Sequence, residues 1–582
     1  MRKVLPLILM GTLALGAALS GCTISDPAAV APTGESGTPD NTSDTAQAAG
    51  TTIDSFDFSL TSRDTDASYN EETATVISFD TANQRETITE EGSYIISGAS
   101  EGGQLLVDLS NAEDAENAKV QLVLDNLSLT NTSAPALLIA QADKVFITLA
   151  EGSTNSLSDG TGRTDLEALD ATADDDSSTD TSEDANENAT LYSHDDLSLN
   201  GSGSLTVSSA SHHAIKCQDD LVIAGGTLRV TAAGDGIRGK DSVKIAGGTL
   251  TVEAGDDGIV SNQTNAPTEK GFVSVTGGEI TVNAADDGLK GEALVCLAGG
   301  SVAIEGSTEG LEACLVWIEG GLHTITSSDD GINAAGDIRT DYLINITGGA
   351  TYVDAEGDGL DSNDTLTQSG GTVVVAGPAR TFAEGALDAE RLAQITGGTL
   401  LAVDSASMSM GYGSESTQGS LLYTLPSTEQ AGTRISLVDG SGVALFSFVA
   451  PKQFSTLVFS SPDLATGEDY RFVTGGSVQG GALPAEQEEA ERSLGFEFTQ
   501  GGSLSGGDTL TSFTLSEQVA QISADGTVTA YSGGGMMGGP GGGWARDGGG
   551  NRGGDMPGPG RTPDEGQAPG TGGGRGSRGT PS

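Results

Sequence analysis

The 582-residue sequence predicts an all-β protein whose body is a parallel β-helix, a solenoid of short strands stacked coil on coil. Three observations predict it. Gly-Gly pairs that open an alternating strand recur at 225, 247, 277, 299, 320, 348, 370 and 397, separated by 22, 30, 22, 21, 28, 22 and 27 residues. Each pair follows another alternating run, such as VKIAGG, VSVTGG or LVWIEGG, and no helical period intervenes. Carboxylates then precede Gly and a branched apolar residue, as in AGDGIRGK, GDDGIVSN, ADDGLKGE, SDDGINAA and EGDGLDSN. A unit this short cannot bury its own apolar face, so neighbours must stack. A propeller blade needs about 40 residues and a sandwich shows hairpin turns.

Taken in order, residues 1–22 read MRKVLPLILMGTLALGAALSGC. Arg2, Lys3, a short apolar run and a small-residue ending make 1–21 a signal peptide rather than a spanning helix. Leu19-Ser20-Gly21-Cys22 resembles a bacterial lipobox, which implies lipid attachment at Cys22 and a location on the outer face of a bacterial membrane. No other stretch is long and apolar enough to cross a bilayer. Residues 22–50, almost without large apolar side chains, form a flexible tether. The β-helix spans 51–404 and is interrupted at 164–188 by a segment with ten acids and no base, expected as a disordered surface loop. Strands such as RISLVDGSGVALFSFV and STLVFSSP place further β structure at 405–531, capping the helix, and 532–582 is a Gly/Pro-rich disordered tail.

With 26 Lys+Arg against 82 Asp+Glu, the net charge of -56 argues against nucleic acid as a partner. It is compatible with cation binding or a neutral polymer. Cys217, Cys296 and Cys314 remain after Cys22, an odd number that cannot all pair within one chain. Register explains one of them. The residue after Asp-Gly points inward, and the second residue after it is small: Gly239, Ser261, Gly291, Ala313, Ala334, Ser362 and Ala389, with Cys217 in the same slot. Cys296 points outward beside Trp317, and Cys314 has no clear place. His194, His212, His213 and His323 are scattered and read as structural or surface residues.

In the same register Asp235, Asp257, Asp287, Glu309, Asp330, Asp358 and Glu384 stand immediately before Gly, and Asp256, Asp286 and Asp329 double the acid. Parallel coils lie about 4.8 Å apart. Like charges at that spacing repel by roughly 3 kcal/mol per pair at an effective dielectric of 20. Oxygen ligands stacked from successive coils suit Ca²⁺. For any single Asp, turn formation and metal ligation are equally good readings; the column as a whole favours a metal.

From about 120 to 400 the chain resembles the bacterial cell-surface carbohydrate-binding proteins built on a right-handed parallel β-helix of pectate-lyase type. The matching blocks are DKVFITLAEGSTNSLSDG (143–160), HDDLSLNGSGSLTV (194–207), HHAIKCQDDLVIAGGTLRVTAAGDGIRGKDSVKIAGGTLTV (212–252) and the later coils. The resemblance implies binding of cellulose and acidic pectic sugars such as polygalacturonate, calcium on the helix and no established catalysis. It carries calcium ligation onto Asp235, Asp256, Asp257, Asp286, Asp287, Asp329, Asp330 and Asp358; Glu309 and Glu384 depart from Asp.

The expected function is therefore polysaccharide binding at the cell surface by a lipid-held monomer. Candidate sugar contacts are the outward groups Trp317, Tyr352, Lys244, Asn345 and Arg229, because rings stack on sugars and cations attract uronates. An alternative is a calcium-dependent lyase using Arg238, Lys240 or Lys290 as base, and a third reading is a structural adhesin.

Overall fold

The computed structural model describes residues 52–531 apart from 113, 114, 116, 165, 167–186, 381–383, 406–408 and 482–495. The signal peptide, Cys22, the tether, most of the acidic segment and the tail lie outside the described residues.

Each coil of the solenoid crosses three faces, and each face is a ladder of parallel strands. The first face runs through Lys144–Leu149, Asp196–Gly201, Asp220–Ile223, Ser242–Ile245 and Phe272–Val275 to Leu392–Ile395. The second runs through Thr154–Ser158, Ser204–Ser208, Thr227–Ala232 and Thr249–Ala254 to Thr399–Asp404. The third runs through Ala189–Ser193, His213–Cys217, Ile237–Gly239 and Ile259–Ser261 to Leu387–Ala389. The single helix among the described residues is Ser62–Thr65.

Two glycine signals build two different corners. The second glycine of each Gly-Gly pair turns the chain from the first face to the second in the left-handed region, with φ 95° at Gly248 and 98° at Gly278, where a side chain is strained. The glycine after the carboxylate, between second and third faces, has no positive φ. It is required by close approach instead: a Cβ on Gly258 would lie 2.3 Å from Val282 Cγ1 and 2.5 Å from the Gly288 carbonyl oxygen.

Inside, identical slots stack into apolar rows. Ile215, Ile237, Ile259, Leu289, Leu311, Ile332, Leu360 and Leu387 pair in consecutive coils of the third face, all buried. The small row follows two residues on, Cys217 opposite Gly239 and Ser261 opposite Gly291, through to Ala389. None of the three cysteines is disulfide-bonded, and all are buried.

Two elements cover outer surfaces. An arm from Ile53 onward lies along the first face. Ile53 and Phe56 pack against Phe272, Leu294, Cys296 and Leu315, while further on Arg63 donates to Gln121 Oε1 at 3.1 Å. Cys296 does face outward opposite Trp317, as its alternation predicts, but the arm buries it. At the other end, Phe454–Ser460 pairs antiparallel with Thr399–Asp404 and so ends the parallel ladder. A five-stranded antiparallel sheet follows, and its Phe446 and Phe472 join Phe459 of the Phe454–Ser460 strand in an aromatic core that closes over Tyr352, Val374 and Leu401 of the second face.

Candidate functional site

The corner between second and third faces stacks the carboxylates directly. The Gly236 N–H donates to the Asp257 carbonyl at 2.9 Å, Gly258 to Asp287 at 2.8 Å, Gly288 to Glu309 at 2.9 Å, Gly310 to Asp330 at 3.0 Å and Gly331 to Asp358 at 2.8 Å. One coil earlier, the slot before Asp235 belongs to His213, whose place is fixed by Ile215 opposite Ile237. One coil later, Gly359 donates to Gly385 rather than to Glu384, so Glu384 stands one residue out of the column. The inference that Glu384 shares the slot because it precedes a glycine is corrected by the pairing of Leu360 with Leu387.

Side chains add links between coils. Asp257 Oδ1 accepts the Asp287 N–H at 3.1 Å, and Asp330 Oδ1 accepts the Asp358 N–H at 2.6 Å. Four groups bring carboxylate oxygens within 4.8 Å of one another: Asp256, Asp257 and Asp286; Asp287, Glu309 and Glu312; Asp330, Asp358 and Glu384; Asp358, Asp361 and Asp388. Asp329 is exposed at the rim.

Electrostatics differ along the column. Burial opposes the Asp235 charge, but Arg238, whose Nη1 lies 2.7 Å from Asp235 Oδ2, holds its carboxyl below the usual range. Burial also keeps His213 neutral, lowering it to about 3. Further on, burial reinforced by neighbouring carboxylates pushes Asp257 and Asp287 well up, Asp330 to about 7 and Asp358 to about 9. Glu309 rises to about 8 from burial and the Glu312 charge. Among the described residues no ion pair engages Asp330, Asp358 or Glu384. Asn333, paired in register with Glu312 and Asp361, donates to Glu309 at 2.8 Å and keeps a buried Oδ1 with no hydrogen bond. This all-oxygen donor set, short of positive charge, fits a hard divalent cation.

A cleft of about 760 Å³ opens beside the column over the third face. Its floor includes Arg238, Val260, Lys290 and Glu312, and its walls include Asn262, Thr264, Asp337, Tyr342 and Asn363. Four of these five wall residues come from two loops joined by Arg339, whose Nη1 donates to the Pro267 carbonyl at 2.7 Å. A sequence signal for them existed. The long Gly-Gly separations, 30 and 28 residues, enclose these two loops, 262–271 and 335–342.

The five candidate sugar contacts lie elsewhere. Tyr352 is fully buried under the C-terminal region, so it offers no ring to solvent. Lys244 is buried on the first face, 3.2 Å from Asp220 and over the Phe272 ring. Trp317 is half-buried beside the arm's apolar cluster, and Asn345 accepts the Thr367 hydroxyl at 2.7 Å on the same face. Arg229 is exposed on the second face. Alternation predicts that each points outward, but it carries no information about what later covers that surface.

HDDL and QDDL mark a second acidic corner that the Asp-Gly count does not reach. Asp143, Asp196, Asp220 and Asp241, at the entrance to the first face, are paired with Lys119, Lys144, Lys244 and Lys270 respectively. That corner supplies its own cations.

The family model and the curated relative agree with the carbohydrate reading of the repeat. The family model of carbohydrate-binding domain-containing proteins matches residues 82–343. A carbohydrate-binding domain-containing protein of Acetivibrio thermocellus is 36% identical over 145 residues, covering 25% of this chain and 44% of the relative. The chain thus spans less than half the length of that curated relative. A solved structure, that of the polysaccharide lyase-like protein from C. thermocellum as a gadolinium derivative, is 30% identical, covering 43% of this chain and 94% of that chain, with a TM-score of 0.32.

Proposed function

We propose that this is a lipid-anchored cell-surface protein that binds polysaccharide, cellulose or a polygalacturonate-like chain, in the cleft over the third face, with calcium held by the carboxylate column. The observation that carries the reading is the polar 760 Å³ cleft, which is built mostly by residues inside the stretch matched by the carbohydrate-binding family model. Asn262, Thr264 and Asn363 supply amide and hydroxyl groups suited to sugar hydroxyls. Tyr342 supplies a ring whose hydroxyl is tied to the Gly336 carbonyl at 2.7 Å, and a fixed ring is suited to stacking on a pyranose face.

The lining sorts the two glycans. Asp256, Asp257, Asp286, Glu292, Glu312 and Asp337 outnumber Arg238 and Lys290, so a uronate needs a divalent cation between its carboxylate and this wall, whereas cellulose does not. Binding is favoured over lyase chemistry because both cationic candidates in the cleft are engaged. Arg238 holds Asp235, and Lys290 lies 3.0 Å from Asp287 and from Glu312, whose charges raise its pKa against burial and keep it an ammonium rather than a base. Attachment at Cys22 and the outer-membrane-face location rest on the lipobox alone.

The test is retention of the full chain on cellulose and on polygalacturonate, with calcium and with EGTA. Retention on polygalacturonate that EGTA abolishes, beside cellulose retention that survives, is expected. Retention on neither polymer in calcium sinks the reading, as does sustained release of unsaturated uronate product.

A further inference from the structure

The column carries its own cations along only part of its length. Arg238 closes its first acid, 2.7 Å from Asp235 Oδ2. In its middle, Lys290 Nζ lies 3.0 Å from Asp287 Oδ2 and 3.0 Å from Glu312 Oε2. Those two carboxylates and Glu309 form one of the groups whose oxygens lie within 4.8 Å of one another. The outer row of the third face, in consecutive coils, reads Lys216, Arg238, Val260, Lys290, Glu312, Asn333, Asp361 and Asp388. Its sign reverses between Lys290 and Glu312.

We infer that Lys290 is a resident counter-ion that occupies a divalent-cation position in the middle of the column and confines exchangeable ions to other coils. An ammonium is a compact point charge with three donors, close in reach to a bound ion with oxygen ligands. It is tethered three residues after Asp287 and stands in register with Glu312 of the next coil, so it is present at a local concentration no free ion matches. A free divalent ion entering the Asp287, Glu309 and Glu312 group would first have to break both contacts of that ammonium. Beyond Glu312 the row offers no such cation, and the buried, unbonded Oδ1 of Asn333 stands there. That the later coils take calcium rests on the proposed function; the role of Lys290 does not.

The test compares full-length wild type, Lys290→Met and Lys290→Arg by equilibrium dialysis against calcium and by thermal melting in calcium and in EGTA. Lys290→Met is expected to bind one more ion per chain than wild type and to lose melting temperature in EGTA that calcium restores; Lys290→Arg should match wild type. If Lys290→Met folds only in calcium, the inference is equally supported. The same ion count as wild type, or a melting loss that calcium leaves uncorrected, overturns it. Wild type binding no calcium while Lys290→Met binds one would end the calcium part of the proposed function and leave the counter-ion standing.

Discussion

Asp64 of the N-terminal arm lies 2.9 Å from the ammonium of Lys144 on the first face, both side chains buried, and also accepts the Ser198 hydroxyl at 2.5 Å. The contact pins the arm to the solenoid. Asp64→Ala would leave Lys144 with only Asp196, 3.8 Å away, for compensation. A stability loss of about 3 kcal/mol is expected, read as a lower denaturant midpoint. Protease cleavage within the arm should then precede cleavage of the coils. Burial opposes the Asp64 charge, but Ser198 and Lys144 hold its pKa below 3.8. Its contribution is therefore full above that pH and is lost as pH falls through the lower folded value.

The carboxylate column should respond in the opposite sense. Asp330 is raised to about 7 by burial and by the Asp361, Asp329 and Glu384 charges, and Asp358 to about 9 by burial and by the Asp330, Asp361 and Glu384 charges. The folded state then holds protons that the unfolded state releases near pH 4, so in EGTA the melting temperature should fall as pH rises from 4 through 9. Saturating calcium should flatten that slope by replacing protons with an ion. Identical profiles with and without calcium would count against ion binding.

His323 replaces an apolar residue in the inner row of the second face, between Val302 and Thr351. Its Nε2 bonds the Gly320 carbonyl at 2.8 Å, while Nδ1 and the Thr351 hydroxyl have no hydrogen bond. His323→Leu is expected to raise stability by about 1 kcal/mol through removal of a poorly satisfied buried polar group. Burial lowers His323 to about 4, so its neutral ring adds a cost to the folded state that grows as pH falls from 6.5 toward 4, against the trend set by the carboxylate column. The melting-temperature gain of the variant over wild type should therefore widen as pH falls across that window.

At the Asp-Gly corner, Gly258→Ala would drive a methyl against Val282 and the Gly288 carbonyl. A loss of about 1–3 kcal/mol follows from overpacking. Chemical denaturation checks it, and an unchanged midpoint would mean the coils have room that their spacing denies.

In the cleft, Tyr342→Ala should weaken glycan retention about fivefold, the equivalent of roughly 1 kcal/mol of ring contact. Trp317→Ala, on the arm-covered first face, should leave retention unchanged. Binding isotherms on both polymers separate the two outcomes.

Much of this architecture is legible in one dimension because a solenoid is nearly one-dimensional. Each coil contacts its neighbours, so equal slots in successive repeats become equal positions in space, and counting from Asp-Gly places Ile237 over Ile259 and Cys217 beside Gly239 without coordinates. The stacking of Asp235, Asp257, Asp287, Glu309, Asp330 and Asp358 follows from the same count. Tertiary structure alone decided what lies on top of the coils. Contacts of the arm with Lys144, of the C-terminal sheet with Tyr352, and of Arg339 with the 262–271 loop join segments far apart in sequence and obey no repeat. Period-two alternation separates inside from outside, but an outward side chain is exposed, sheathed or lining a cleft according to which distant segment returns over it.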